Sequence, residues 1–514
     1  MRERLRRFLA LTFVSALLPS ASLHALTWVE VAQLTYAGSF DNGWSVAIDG
    51  DVAVISDLAA PRVLVRSGGI WAEAADLVPS AVATPHEFFG WSVAIRGDTI
   101  AVGAPCNFGI NCGHIYVFVR PPGGWSGTLN ENARLGVSGQ IHLGDVIAFA
   151  GDSIVTVASD NLAAPNGLYI FNKPGSGWSG TVAPSAILVC SLNGFLEDVA
   201  GSGDVIVAGS PLENHDNLQQ AGKAFVWVMP AGGWSGLISN AAELLPSDPI
   251  ADGWFGASVG IDGTTVVVPN DYQSSPPLPN HSKGYVFEMP SAGWAGTLTE
   301  NAQLVGSDVV NADSFGLVTA ISGDTVVIGA IQWPGFFSHL PLVGAAYVFD
   351  RPASGWSGTV SETTQFTGSQ DNDVFGNSVA ISGGTIVVGS PQETVGGNLY
   401  QGVAHVFELR KVPFVTLTRW FVKGPIRVSP GVPVEFRVQV EIPEPASVEP
   451  TGVVVVSGGG TDQECRAVLD SSGAGSCALT FPSVGTYPIR AHYLGGAEFK
   501  ESTSPALPVL VGRQ

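Results

Sequence analysis

His24, His86, His114, His142, His215, His281, His339, His405 and His492 are the histidines of this chain, scattered without the spacing of a metal-ligand set. His114 and His405 fall on strand-like runs and read as equivalent packing positions on a strand face. No GxSxG elbow presents a nucleophile, no HExxH holds zinc, and no GxxxxGK[ST] loop cradles a phosphate. Acidic pairs do recur, at Asp248 and Asp252, Asp308 and Asp313, and Asp371 and Asp373. Carboxylates so placed could hold calcium, but solvated turn residues give the same pattern, and that is the reading adopted. No catalytic residue, metal site or cofactor is assigned; calcium is the one candidate ion.

Aromatic residues offer recognition chemistry instead. The segment QWPGFFSHLPL (332–342) gathers Trp333, Phe336, Phe337 and His339 and is the expected ligand-binding loop, unless its rings cover the loop's own base. Trp125, Trp178, Trp234, Trp294 and Trp356 recur inside segments of the form RPxxGWSGT. They suggest a sugar-stacking ladder, yet each is expected to pack on the outer strand of its own sheet and cover that edge.

The elements that must position these residues repeat. A glycine-turn hairpin returns seven times, with turn residues Gly50, Gly97, Gly151, Gly203, Gly263, Gly323 and Gly383. Glycine supplies the positive φ that such turns need. In the sixth copy, runs 317–321, 325–330, 344–350 and 363–366 read as four antiparallel strands. Repetition at this period, from short strands, indicates a propeller or solenoid. Seven candidate fourth strands match seven hairpins, but one of them, WVEVAQL (28–34), precedes the first hairpin and none follows 402–410. The N-terminal strand is therefore expected to close the last blade. The fold class is all-β: a seven-bladed β-propeller closed by an N-terminal strand, followed by a β-sandwich.

Composition agrees. The chain of 514 residues is 45% hydrophobic and 13% charged, with 64 glycines and 34 prolines, and lacks long runs of helical period. Its net charge of −21 disfavours nucleic acid and anionic membranes as partners. Residues 1–25 read as a signal peptide: Arg2, Arg4, Arg6 and Arg7, then an apolar stretch from Phe8 to Leu18, with cleavage after Ser22 or Ala25. The mature chain has no membrane-inserting segment of sufficient length. Cys106 with Cys112, and Cys465 with Cys477, are close pairs that an exported chain would oxidise; Cys190 is left as a free thiol.

The recurring elements FGxSVAIxGDxIxVGAP and GxxYVF resemble FG-GAP repeats, the blade unit of integrin α-chain propellers and of many exported bacterial proteins. Phe89-Gly90, Phe255-Gly256, Phe315-Gly316 and Phe375-Gly376 match the first element, and Gly103-Ala104-Pro105, Gly209-Ser210-Pro211 and Gly389-Ser390-Pro391 the last. The likeness covers residues 27–410 and departs most at the third and fourth repeats. The calcium loop that integrin-type repeats often carry between the first two strands does not carry over, because those connections here are tight turns. Arg96-Gly97-Asp98 spells an adhesion tripeptide but occupies the repeat's turn. The SxDxGxxW box of sialidase-type propellers is approached only at Ser39 to Trp44.

Residues 414–512 lose the repeat and resemble bacterial Ig-like domains, with strand-like runs at 432–442, 452–459, 464–470, 475–481 and 486–495. That resemblance implies a spacer or adhesion module in which Cys465 and Cys477 clasp neighbouring strands rather than join the two sheets. The whole is expected to be a secreted or cell-surface, non-catalytic binding or adhesion protein. Its partner would be an extracellular protein or glycan, met by the variable loops of one propeller face. An enzyme acting on an extracellular polysaccharide or other polymer, and a structural surface component without a ligand, are the alternatives. Oligomeric state is left open.

Overall fold

A computed structural model describes residues 25–512 except 37–39, 58–59, 81–87, 106–112, 138–142, 159–166, 190–195, 240, 272–281, 310–313, 332–342, 371–372, 413–415, 422–423, 443–449, 459–463 and 497–498. Two compact units emerge: Trp28–Glu408, and Leu409–Gln514 together with the residues before Trp28. Every described element is a strand or turn.

In the first unit the described strands form seven sheets. Blade 2 shows the plan: Val93–Arg96 turns at Gly97 into Thr99–Ala104, which pairs with His114–Val119 and then Ala133–Leu135. The seven first strands touch one another in cyclic order, blade 7 meeting blade 1, so the sheets form a closed ring. Ala25–Leu34 lies beside Val403–Val412 and supplies the outer strand of blade 7, the closure expected from the strand count.

The repeat's glycines are blade-to-blade contacts. A Cβ on Gly103 would stand 2.0 Å from the Gly144 carbonyl oxygen of the next blade; Gly209 meets Gly256, Gly329 meets Gly376, and Gly389 meets Gly43 in the same way. At the junction of blades 3 and 4, Val157 and Leu196 take the two glycine places and meet in one apolar cluster. Serine two residues after the FG glycine adds a clasp: Ser92 Oγ donates to Gly144 O at 2.7 Å, Ser258 Oγ to Gly316 O at 2.9 Å, and Ser378 Oγ to Gly43 O at 2.8 Å.

A second belt rings the opposite face. The turn amides of Gly97, Gly263, Gly323, Gly383 and Gly50 donate to Asp49, Ser202, Asp262, Ser322 and Ser382 of the preceding blade, at 2.5 to 3.0 Å. Arg96 and Ala150 stand at the two remaining places and offer no acceptor. Arg96-Gly97-Asp98 is thus a hairpin turn, with Gly97 at φ +56° and Asp98 beside Arg120 at 3.3 Å.

The tryptophan segments differ from the expectation. After each of the five tryptophans the chain forms a short extra strand that pairs in parallel with the outer strand of the preceding blade, as Gly127–Asn130 does on Ile70–Val78. The indoles are buried in apolar clusters shared by two blades, so they seal blade junctions rather than cover their own blade's edge. Burial leaves no face for sugar. Among the described residues blades 6 and 7 lack the extra strand, because blade 7 has no such segment and blade 1 turns directly through Gly68-Gly69.

The second unit is a two-sheet sandwich. Leu417–Trp420, Pro433–Glu441 and Ala474–Thr480 form one sheet; Ile426–Val428, Leu507–Val511, Gly485–Tyr493, Val453–Gly458 and Glu464–Val468 form the other, in that order. Phe436, Val438, Val456, Ile489 and Tyr493 fill the space between them. Cys465 and Cys477 form a disulfide with Cα atoms 5.8 Å apart. Their strands are sequence neighbours but edge strands of different sheets, so the bridge joins the sheets, contrary to the clasp within neighbouring strands expected above. Cys106, Cys112 and Cys190 lie outside the described residues.

Candidate functional site

The first strands run around a central channel. Near their starts it opens into a cavity of about 520 Å³, lined by inner-strand residues of every blade. Antiparallel strands place this mouth on the face that carries the second-to-third and fourth-to-first connections, the face whose loops vary.

One residue per blade rims the mouth, at the place following the FG glycine: Trp44, Trp91, Asp145, Glu197, Ala257, Leu317 and Asn377. The repeat fixes the backbone there while the side chain varies from blade to blade. Ring order therefore makes an aromatic arc on blades 1 and 2, an acidic arc on blades 3 and 4, and a neutral remainder. Trp44 and Trp91 are half-buried with ring centroids 5.0 Å apart, and Phe88 adds a third ring 5.8 Å from Trp91. Desolvation in the mouth raises the Glu197 carboxyl above the usual carboxylate range.

Asp198 follows it in the channel wall. Burial pushes its carboxyl up to about 7, although the amides of Val259 (2.7 Å) and Val199 (2.9 Å) donate to it and pull the other way, while Glu197 adds to the rise. Around the mouth the same face exposes large apolar side chains: Phe40 at 68%, Leu399 at 66% and Tyr400 at 52%. Phe40 and Tyr400 belong to adjoining segments, since the Asp41 amide donates to the Tyr400 carbonyl at 2.9 Å.

Trp333, Phe336, Phe337 and His339 lie outside the described residues. Asp313 and Asp371 lie outside the described residues; Asp248, Asp252 and Asp308 are exposed residues of turns and bends, while Asp373 is buried. Asp248 accepts from the Tyr285 hydroxyl at 3.0 Å and from Lys283, and Asp308 accepts from the Tyr347 hydroxyl at 2.7 Å. Asp373 is 1% exposed and accepts from the amides of Ser369 and Gln370. Among the described residues no three metal-binding side chains cluster.

His114 and His405 are not equivalent. His405 pairs with Val388, as Tyr116 pairs with Val102, so it takes the tyrosine place of GxxYVF, two residues further along than His114. The mouth residues were missed because each looks unremarkable alone. Their signal is that one position of an otherwise constant element changes chemical class from blade to blade.

The FG-GAP repeat family model matches residues 71–118, 298–349 and 367–407, and the model for bacterial Ig-like domains of group 3 matches 422–512. No curated protein matches the chain. Solved structures similar to it include apo AztD from Citrobacter koseri, at 10% identity and TM-score 0.36, covering 71% of this chain and 89% of that one. YjhT is 12% identical with TM-score 0.31, covering 76% and 97%. The WD40 domain of SCAP from fission yeast is 10% identical with TM-score 0.32, covering 72% and 84%. This chain is a protein of FG-GAP repeats with a bacterial Ig-like domain at its C-terminus.

Proposed function

We propose that this is an exported, non-catalytic binding protein that takes an extracellular protein or glycan at the channel mouth and on the loops around it. The observation that carries the reading is the rim itself: paired indoles beside carboxylates over a cavity of about 520 Å³, on the face that exposes Phe40, Leu399 and Tyr400. Indole faces stack on sugar rings or on the stems of basic side chains, and carboxylates accept from hydroxyl or ammonium donors. Both domain types are extracellular in kind, and the disulfide fits an oxidising compartment. The Ig-like sandwich acts as a spacer.

An array of extracellular glycans and proteins, read for retention and for shortened product together, tests this. Specific retention with the ligand intact supports binding. Polymer shortening would make the protein an enzyme instead, and absence of both would leave a structural component.

A further inference from the structure

The ring closes in blade 7, and there the repeat breaks its own rule. Blades 2, 3, 5 and 6 carry Tyr116, Tyr169, Tyr285 and Tyr347 on the third strand; blade 7 carries His405. The imidazole fills the tyrosine's place, 5.1 Å from the FG phenylalanine Phe375, where Tyr116, Tyr285 and Tyr347 lie 5.2, 5.4 and 5.3 Å from theirs. Packing alone therefore does not call for histidine. What differs is the outer strand: blade 7 borrows it from the N-terminus.

His405 is 5% exposed, and both ring nitrogens face carboxylates. Nδ1 lies 2.8 Å from Glu30 Oε1 on the N-terminal strand, and Nε2 lies 2.8 Å from Glu393 Oε2 on the loop between the second and third strands. Glu393 is itself 6% exposed. Asp373, on the connection into blade 7, is the other acidic group acting on the ring, and the His405 charge in turn favours its ionised form. Phe375 and Phe407 flank the imidazole, and Val388 pairs with it; none carries charge.

We infer that His405 is a pH-sensitive latch, whose protonated ring ties the N-terminal strand to blade 7 and whose deprotonation loosens the seam that closes the propeller. An imidazolium donates through both nitrogens and satisfies both glutamates. A neutral imidazole has one N–H, so it serves one carboxylate only; kept on the buried Glu393, it leaves Glu30, whose side chain is 38% exposed, facing a lone pair and able to turn to water. The two glutamate hydrogen bonds raise the His405 pKa against the opposing effect of burial. The sign follows: a histidine whose folded pKa is raised contributes stability that is present below its unfolded value of about 6.5 and is lost as pH rises through the folded value. Other bonds keep the strand from detaching outright, among them Thr35 Oγ1 to Gly402 O and Asn42 Nδ2 to Leu34 O, both 2.8 Å.

Hydrogen exchange of the full chain between pH 6 and pH 9, corrected for the intrinsic rate, tests the latch on the peptide covering residues 28–34. Protection there is expected to fall by about tenfold or more across this range, while third-strand peptides of blades 2 and 5 hold theirs. His405→Tyr, which installs the residue of blades 2, 3, 5 and 6, and Glu30→Gln, which removes only the N-terminal carboxylate, are expected to flatten that dependence. Constant protection in the wild type, or an undiminished dependence in Glu30→Gln, would overturn the inference.

Discussion

Asp198 stands where Ser45, Ser92, Ser258 and Ser378 stand in other blades, and it does the serine's work with a charge. Ser45 Oγ accepts from the Val93 amide at 3.1 Å; Asp198 accepts from the equivalent Val259 amide at 2.7 Å. Its carboxyl is pushed up to about 7, from an unfolded value of about 3.9. A raised carboxyl penalises the folded state progressively as pH climbs from about 4 through 7. Asp198→Ser keeps the acceptor and removes the charge, so it should raise thermal stability at pH 8 by about 1 kcal/mol and have little effect at pH 4.5. Melting curves at the two pH values check this; equal effects at both would remove the electrostatic reading. Gly103 makes the steric case. Gly103→Ala drives a methyl into the Gly144 carbonyl and should cost about 2–4 kcal/mol, measured by chemical denaturation.

Elements in this fold act mainly across junctions. The hairpin glycines, alternating apolar runs and counted fourth strands were legible because each is a local pattern repeated seven times. The parallel fifth strands were not, because their partners lie in the preceding blade and three or four residues of GTLT-like sequence carry no sign of direction. The tryptophans announced themselves, but their place was misread for the same reason. Trp234 is 2% exposed between blades 3 and 4, and Trp234→Ala should cost about 3–5 kcal/mol. An exposed sugar-stacking ring would instead leave the denaturation midpoint nearly unchanged. In the sandwich, the four strands missed by sequence are short or hold proline: Leu417–Trp420, Ile426–Val428, Ser502–Thr503 and Leu507–Val511. Cys465 and Cys477, 12 residues apart, close a small loop, so replacing both by serine should destabilise this unit by about 3 kcal/mol, read from its own unfolding transition.

At the scale of the whole molecule, closing the ring gives one face a mouth to which every blade contributes a residue. The repeat was visible in the chain, but the mouth was not, because Trp44, Trp91, Asp145 and Glu197 are separated by whole blades and come together only when the circle closes. The aromatic loop at 332–342 is conspicuous in the sequence, whereas the rim is written in single changes at a fixed place. Junctions carry the integrity of this arrangement, and in the proposed function the rim carries its use. The direct test is the affinity of an array-identified ligand for the wild type and for a variant bearing Trp44→Ala with Trp91→Ala, measured by titration alongside melting temperature. The account predicts an affinity loss of about tenfold or more with the fold retained; unchanged affinity in a folded variant would contradict it.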